Sequence, residues 1–272
     1  TVTDLAKLLD VIVGYDPDDP VTARGVNQIP DSFTKFLDKH GLKNARIGIL
    51  RESMGYDAEP GSEDFNKITE VFDKAVAELQ SAGATVVDPI VIPDLKKLLA
   101  KRAGSFTDEE ESFKNYMQRS KNPPYQSRAE AMQSPNFHKV VKGSRERWTR
   151  NPKADAHYEY LLAKEKLMTR LLQVMADQRL DAIVHKSVEH QPTLIKDGVN
   201  PPFVDQKGAP HINTFLVYVP SIVVPAGFTR DNLPAGITFL GRPYDDAKMI
   251  KFAYAYEQAT KHRKPPASVT PL

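Results

Sequence analysis

Cysteine is absent from all 272 residues, which removes disulfide staples, thiolate nucleophiles and zinc–thiolate sites together. No stretch of the chain approaches the roughly 18 consecutive apolar residues of a membrane span, so no membrane partner is expected. An excess of one charge is lacking too: 37 Lys and Arg stand against 35 Asp and Glu, a net of +2. Such a balance leaves no broad field to draw a polyanion, and nucleic acid is not an expected partner. Neither G-x-G-x-x-G nor G-x-x-x-x-G-K-[ST] occurs, so no phosphate cradle points to a nucleotide, and no cofactor is expected. The G-x-S-x-G elbow of a self-contained serine hydrolase is missing as well.

What is present suffices for a folded protein. Hydrophobic residues make up 40% and charged residues 26%, which supplies a core and excludes the composition of disordered chains. Residues 1–272 are read as one partial domain, with 93–152 as a helical and loop insertion on the sheet and 263–272 as a loose tail. The opening TVTDLAKLLDVIVGYDPDDP starts inside an amphipathic pattern without a basic leader or small-residue cleavage site, so a true start further upstream is expected. The compartment is unspecified, with the cytoplasm as the default expectation.

Leu5, Leu8, Leu9 and Ile12 fall at helical spacing behind Thr1 and Thr3, and Gly14 with Pro17 ends the run. Arg46 to Leu50 reads as a short buried strand. A helix capped at Ser62 carries Phe65, Ile68, Phe72, Ala75, Val76 and Leu79, closes at Gly83 and gives way to TVVDPI. Strand, helix and strand in that order predict a parallel βαβ unit. A long helix from about Asp155 to Arg179 presents Tyr158, Leu161, Leu162, Met168, Leu171, Leu172 and Met175 as its apolar stripe, followed by the strand LDAIV. SIVVPAGF and PAGITFLGRP form two strands across the turn TRDNL, and a last helix from near Asp245 turns Met249, Ile250, Ala253 and Tyr256 inward.

Residues 186 to 213 form a loop longer than most connections in compact domains, and such loops are functional or disordered. It gathers Glu189, His190, Asp205 and His211, with His185 just before it. The His185 to His190 interval does not place two imidazoles on one helix face as H-E-x-x-H does, so these read as hydrogen-bonding loop residues and no metal is expected. Lys186 and Ser187 are adjacent; a lysine kept neutral by burial can take a serine proton, but neighbours on an extended segment point to opposite sides. The basic run HKVVKGSRERWTR, which contains Trp148 and follows Phe137, is offset by the acidic Asp108 to Glu111 and reads as a solvated face.

The chain resembles amidase signature proteins, and the residues that carry the resemblance stand in order. They are Asn213, then the run from Pro220 to Phe228, then Leu233 to Asp245, then Tyr256 to Thr260. The opening helix with its DPDDP loop, RIGILRE and LDAIV fall where the resemblance expects them, and the wording of HQPTLIKDGVNPPF is fungal-like. The resemblance implies an α/β fold of α/β/α layers, a mixed β-sheet flanked by helices, of which this chain is the C-terminal part. It also implies hydrolysis of a carboxamide by a Ser, cis-Ser, Lys triad carried in a Gly- and Ser-rich segment. No such segment occurs in this chain, so no catalytic residue is assigned and the isolated chain is expected to be inactive. The expected partners are a small amide in the parent, the missing N-terminal part of the same protein, and a second copy in a homodimer. His185, Ser187, Asn213 and Phe215 are the substrate-pocket candidates the resemblance implies. Lys186 and Ser187 stand where the pattern has proline and threonine.

Overall fold

The computed structural model describes residues 1–104, 109–135, 153–210, 212–215, 219–266 and 268. Five strands, β1 (Arg46–Leu50), β2 (Thr85–Ile90), β3 (Ala182–Lys186), β4 (Ser221–Phe228) and β5 (Pro234–Leu240), form one mixed sheet in the order β2-β1-β3-β5-β4. β1 pairs in parallel with both β2 and β3, whereas β5 runs antiparallel to β3 and β4. The predicted βαβ pair and the predicted hairpin are therefore both present, on opposite sides of β3.

Alternation along each strand divides the sheet's side chains between two layers. On one face Ala182 and Val184 of β3 join Ile47, Ile49, Ile237 and Phe239 in a core covered by α1 (Val2–Ile12), α2 (Glu63–Ser81) and α9 (Asp246–Thr260). On the other, Ile183 joins Leu50, Ile90 and Leu240 beneath α3 (Leu95–Ala100) and α6 (Ala154–Asp177). The short helices α4 (Glu109–Gln118), α5 (Arg128–Gln133), α7 (Ile195–Val199) and α8 (Ile212–Phe215), with 3-10 turns at Pro20–Gly25, Phe33–Phe36 and Lys101–Gly104, complete the described elements. The result is an α/β/α layering.

Capping chemistry sets the helix ends. Thr1 and Asp4 form a capping box on α1, and the Ser62 hydroxyl accepts from the Phe65 N–H on α2. Gly83 closes α2 at φ +98°, a left-handed angle that a Cβ would strain. α9 is tied to α2 by polar contacts: the Tyr256 hydroxyl donates to Glu78 Oε2 at 2.7 Å, and His262 Nε2 lies 2.8 Å from the same oxygen.

Two apolar stripes differ from their sequence reading. In α6 the buried residues are Ala163, Leu167, Leu171, Val174 and Met175, while Tyr158, Leu161 and Leu162 are exposed. The buried set follows i, i+4 steps from Ala163 to Met175 with Val174 beside them; the first three residues of the predicted stripe lie off that line. In α1 the inward face is Val2 and Ala6, with Leu5 and Leu9 partly covered, whereas Leu8 and Ile12 face outward. Of the predicted insertion, α3 packs under α6 through Leu95 and Leu98. The basic run with Phe137 and Trp148 lies outside the described residues, as does most of the tail beyond residue 266.

Candidate functional site

β3 runs from an apolar start into a polar end. His185, Lys186, Glu189, His190 and Gln191 are all buried there, an unusual density of buried polar side chains. Each must find a partner to offset the lost hydration, and the partners define the site.

Lys186 points to the α2 side of the sheet. Its Nζ donates to Thr69 Oγ1 at 2.6 Å and stands 3.9 Å from the centre of the Phe65 ring. Burial pushes its pKa below the ordinary lysine value and Arg51 adds to this, while the charges of Glu189 and Asp73 oppose it. The Thr69 hydroxyl gives its own proton to the Phe65 carbonyl at 3.0 Å. The lysine thus donates to an oxygen whose proton is already committed, and the pair is not arranged as base and nucleophile. Ser187 is engaged elsewhere, its Oγ donating to the Gly236 carbonyl at 2.8 Å. The sequence reading that Lys186 and Ser187 do not act on each other holds.

His185 points to the α6 side. Its Nδ1 lies 2.7 Å from the Lys186 carbonyl. A carbonyl can only accept, so the proton sits on Nδ1 and Nε2 keeps its lone pair. Burial lowers the pKa of His185, partly offset by that backbone bond, by Glu189 and by the neighbouring Asn213 side chain, so the ring is neutral at pH 7. His185 Nε2 and Asn213 Oδ1 are buried without a hydrogen-bond partner among the described residues. A half-turn of the Asn213 carboxamide presents its N–H to the imidazole lone pair. Cross-strand pairing extends this face: His185 is opposite Thr238 on β5, and Thr238 is opposite Val223 on β4. Thr238 is buried, but Val223 at the sheet edge is 59% exposed.

The long loop is held to the sheet by Glu189. Its carboxylate accepts from Ser53 Oγ at 2.7 Å and from the Met54 and Gly55 N–H groups, both at 2.8 Å. Backbone bonds from Glu189 to Gly208 and from Gly208 to Tyr56 continue the clamp. Gly208 sits at φ +70°, and a Cβ there would stand 2.5 Å from the His190 nitrogen, so only glycine fits. Gln191 donates to Asp231 at 2.9 Å, and Lys67 bridges Asp231 and Asp64 at 2.6 and 3.1 Å.

Of the four residues singled out from the sequence, His185 and Asn213 are brought side by side. Ser187 lies on the adjacent stretch bonded to β5, and the side chain of Phe215 lies outside the described residues, as does His211. Among the described residues no group of three His, Asp or Glu is placed to hold a metal. Sequence reasoning missed the anchoring role of Glu189 and the Lys186–Thr69 bond, since neither leaves a local pattern.

A family model described as Amidase matches residues 1–250. This chain belongs to the amidase signature family. It is 27% identical over 281 residues to a probable amidase of Arabidopsis thaliana, covering 98% of this chain and 48% of that protein. It is 29% identical over 279 residues to a glutamyl-tRNA(Gln) amidotransferase subunit of Thermodesulfovibrio yellowstonii, covering 97% and 54%. The native peptide amidase of Stenotrophomonas maltophilia superposes with a TM-score of 0.67 at 26% identity, covering 99% of this chain and 54% of that one. The chain therefore spans about half the length of these relatives. In this amidase-family chain, the run that carried the resemblance folds as β4, β5 and α9. Among the described residues no helix is long and apolar enough to cross a membrane.

Proposed function

We propose that the parent of this chain hydrolyses a carboxamide to the carboxylic acid and ammonia through a Ser, cis-Ser, Lys triad. This chain supplies the substrate wall and not the attacking group. His185, Ser187, Asn213 and Phe215 form that wall, and the remaining part of the protein completes it. The observation that carries this reading is the commitment of the hydroxyls around the end of β3. Ser187 is bonded to the Gly236 carbonyl, Thr69 to the Phe65 carbonyl and Ser53 to the Glu189 carboxylate. A nucleophile needs a hydroxyl whose proton an adjacent base can take; backbone carbonyls, which are not bases, hold the Ser187 and Thr69 protons, and the carboxylate that accepts from Ser53 also accepts from the Met54 and Gly55 N–H groups as the anchor of the long loop.

Ammonia release from acetamide and benzamide tests the proposal. The chain alone is expected to release none and to keep its mass after treatment with a sulfonyl fluoride, and the upstream half supplied in trans is expected to restore activity. Hydrolysis by the chain alone, abolished by the reagent together with a mass increase on one serine, overturns it.

The second reading is a non-catalytic module that self-associates or binds a small amide or protein partner. What favours it is the apolar surface on α1, where Leu8, Val11 and Ile12 are exposed, together with the edge of β4, unpaired among the described residues. The name of one relative, an amidotransferase subunit, supports a chain that works within an assembly.

A further inference from the structure

α1 carries two apolar faces, and one of them is uncovered among the described residues. The inner face is Val2 and Ala6, with Leu5 and Leu9 partly covered. On the outer face Leu8, Val11 and Ile12 stand at i, i+3 and i+4, which places them on one arc of about 100°. All three are exposed, Val11 to 82% and Ile12 to 64%, and Val13 and Tyr15 carry apolar surface past the helix end. A lone exposed apolar side chain is ordinary, whereas several in register on one arc mark a contact surface.

The helix is held so that this arc stays outward. Val2 gives its N–H to the Glu257 carboxylate on α9 at 3.0 Å. Near the other end Asp10 accepts from the Ser32 hydroxyl at 2.7 Å and from the Phe33 N–H at 2.5 Å. Turning α1 about its axis would break these ties and expose Val2 and Ala6. The arc is a preformed platform, and a partner docking on it has little ordering cost to meet on this side.

Length points to the occupant. The relatives are about twice as long as this chain, which spans 48% of one and 54% of two others. We propose that the outer arc of α1 seats an apolar face of the upstream part of the same polypeptide. The inference rests on the reading of a longer parent given above and deepens it by naming the surface on which the upstream part sits. In such a parent the upstream part is tethered at Thr1, and Leu8 lies roughly 10 Å along the helix from there at 1.5 Å per residue. A short tether gives an effective concentration on the order of millimolar, which favours the attached segment over a free second copy.

The chain has no cysteine, so Val11→Cys places a single thiol on the arc. Maleimide labelling of that residue, read by peptide mass, is compared in this chain and in the full-length parent, with and without urea. In this chain the thiol is expected to react as fast as in urea, and in the folded parent at least about tenfold more slowly. Val11→Lys combined with Ile12→Lys is expected to leave the Tm of this chain unchanged, because both side chains are already solvated, and to lower that of the parent, where the charges are buried. Equal labelling in chain and parent overturns the proposal, as does a parent Tm untouched by the lysines. A lowered Tm in this chain makes the arc part of its own core and also overturns it. A thiol protected in this chain alone, with a dimer in sedimentation equilibrium, assigns the arc to a second copy and overturns it as well. Neither readout depends on hydrolysis. A parent that protects the thiol yet releases no ammonia supports this inference and contradicts the amide-hydrolysis reading, whereas an active parent with a freely reactive thiol sinks this inference alone.

Discussion

Single side chains decide how the end of β3 behaves, and Lys186 is the most exacting of them. A lysine placed against two phenylalanine rings and one hydroxyl keeps its charge at a cost. Its pKa is lowered on folding, so the folded state binds its proton less tightly than the unfolded chain. The sign follows from linkage: the charge penalty is full below the lowered folded value and disappears as pH rises to the ordinary value of 10.5. Lys186→Met keeps the length and removes the charge. It is expected to raise stability by about 1 kcal/mol at pH 7, with the gain shrinking toward pH 10; urea midpoints at the two pH values check this. Glu189 behaves in the opposite way, because three donors converge on its carboxylate. Glu189→Gln sets an amide N–H against one of them and is expected to cost about 2 kcal/mol. Limited proteolysis should then cut within 192–207 faster than in the parent chain.

Elements were legible in proportion to how local their causes are. The caps at Thr1 and Ser62, the closure at Gly83, the turn between β4 and β5 and the strand RIGIL all follow from residues within a few positions of one another, whereas the reading LDAIV places β3 two residues ahead of its observed span, Ala182–Lys186. Ser62→Ala is expected to lower stability by about 1 kcal/mol, seen as a drop in Tm with the far-UV circular dichroism spectrum intact. The stripes of α1 and α6 were legible only in part. Periodicity identifies a helix, but which arc of it is buried depends on what packs there, and Leu8, Ile12, Tyr158, Leu161 and Leu162 face away from both cores. The long loop was recognised as unusual by its length. Its clamp to residues 53–56 was not, because Glu189 and Met54 are 135 residues apart and meet only once the sheet has formed.

On the scale of the whole molecule, the sheet ends on β4, whose outer edge is unpaired among the described residues and whose Val223 is largely exposed. An edge of this kind is a template for pairing, and a charge there opposes it. Sedimentation equilibrium is therefore expected to find concentration-dependent association of the chain and its loss in Val223→Lys. Association unchanged by the substitution would place the contact elsewhere, with the exposed face of α1 the next surface to alter.

The ordered run from Asn213 to Thr260 was enough, by sequence alone, to point to the amidase signature family, because that signal is a series of residue types along one chain. Helix and strand types were readable from period and turn chemistry, and the mixed sheet was what the resemblance implied. Only the tertiary structure decided that His185 lies beside Asn213, that Lys186 turns to Thr69 across 117 positions, and that Ser187 gives its proton to β5. The physical reason is that burial and hydrogen bonding are properties of what surrounds a side chain in space. Sequence sets which groups need partners; packing sets which partners they find.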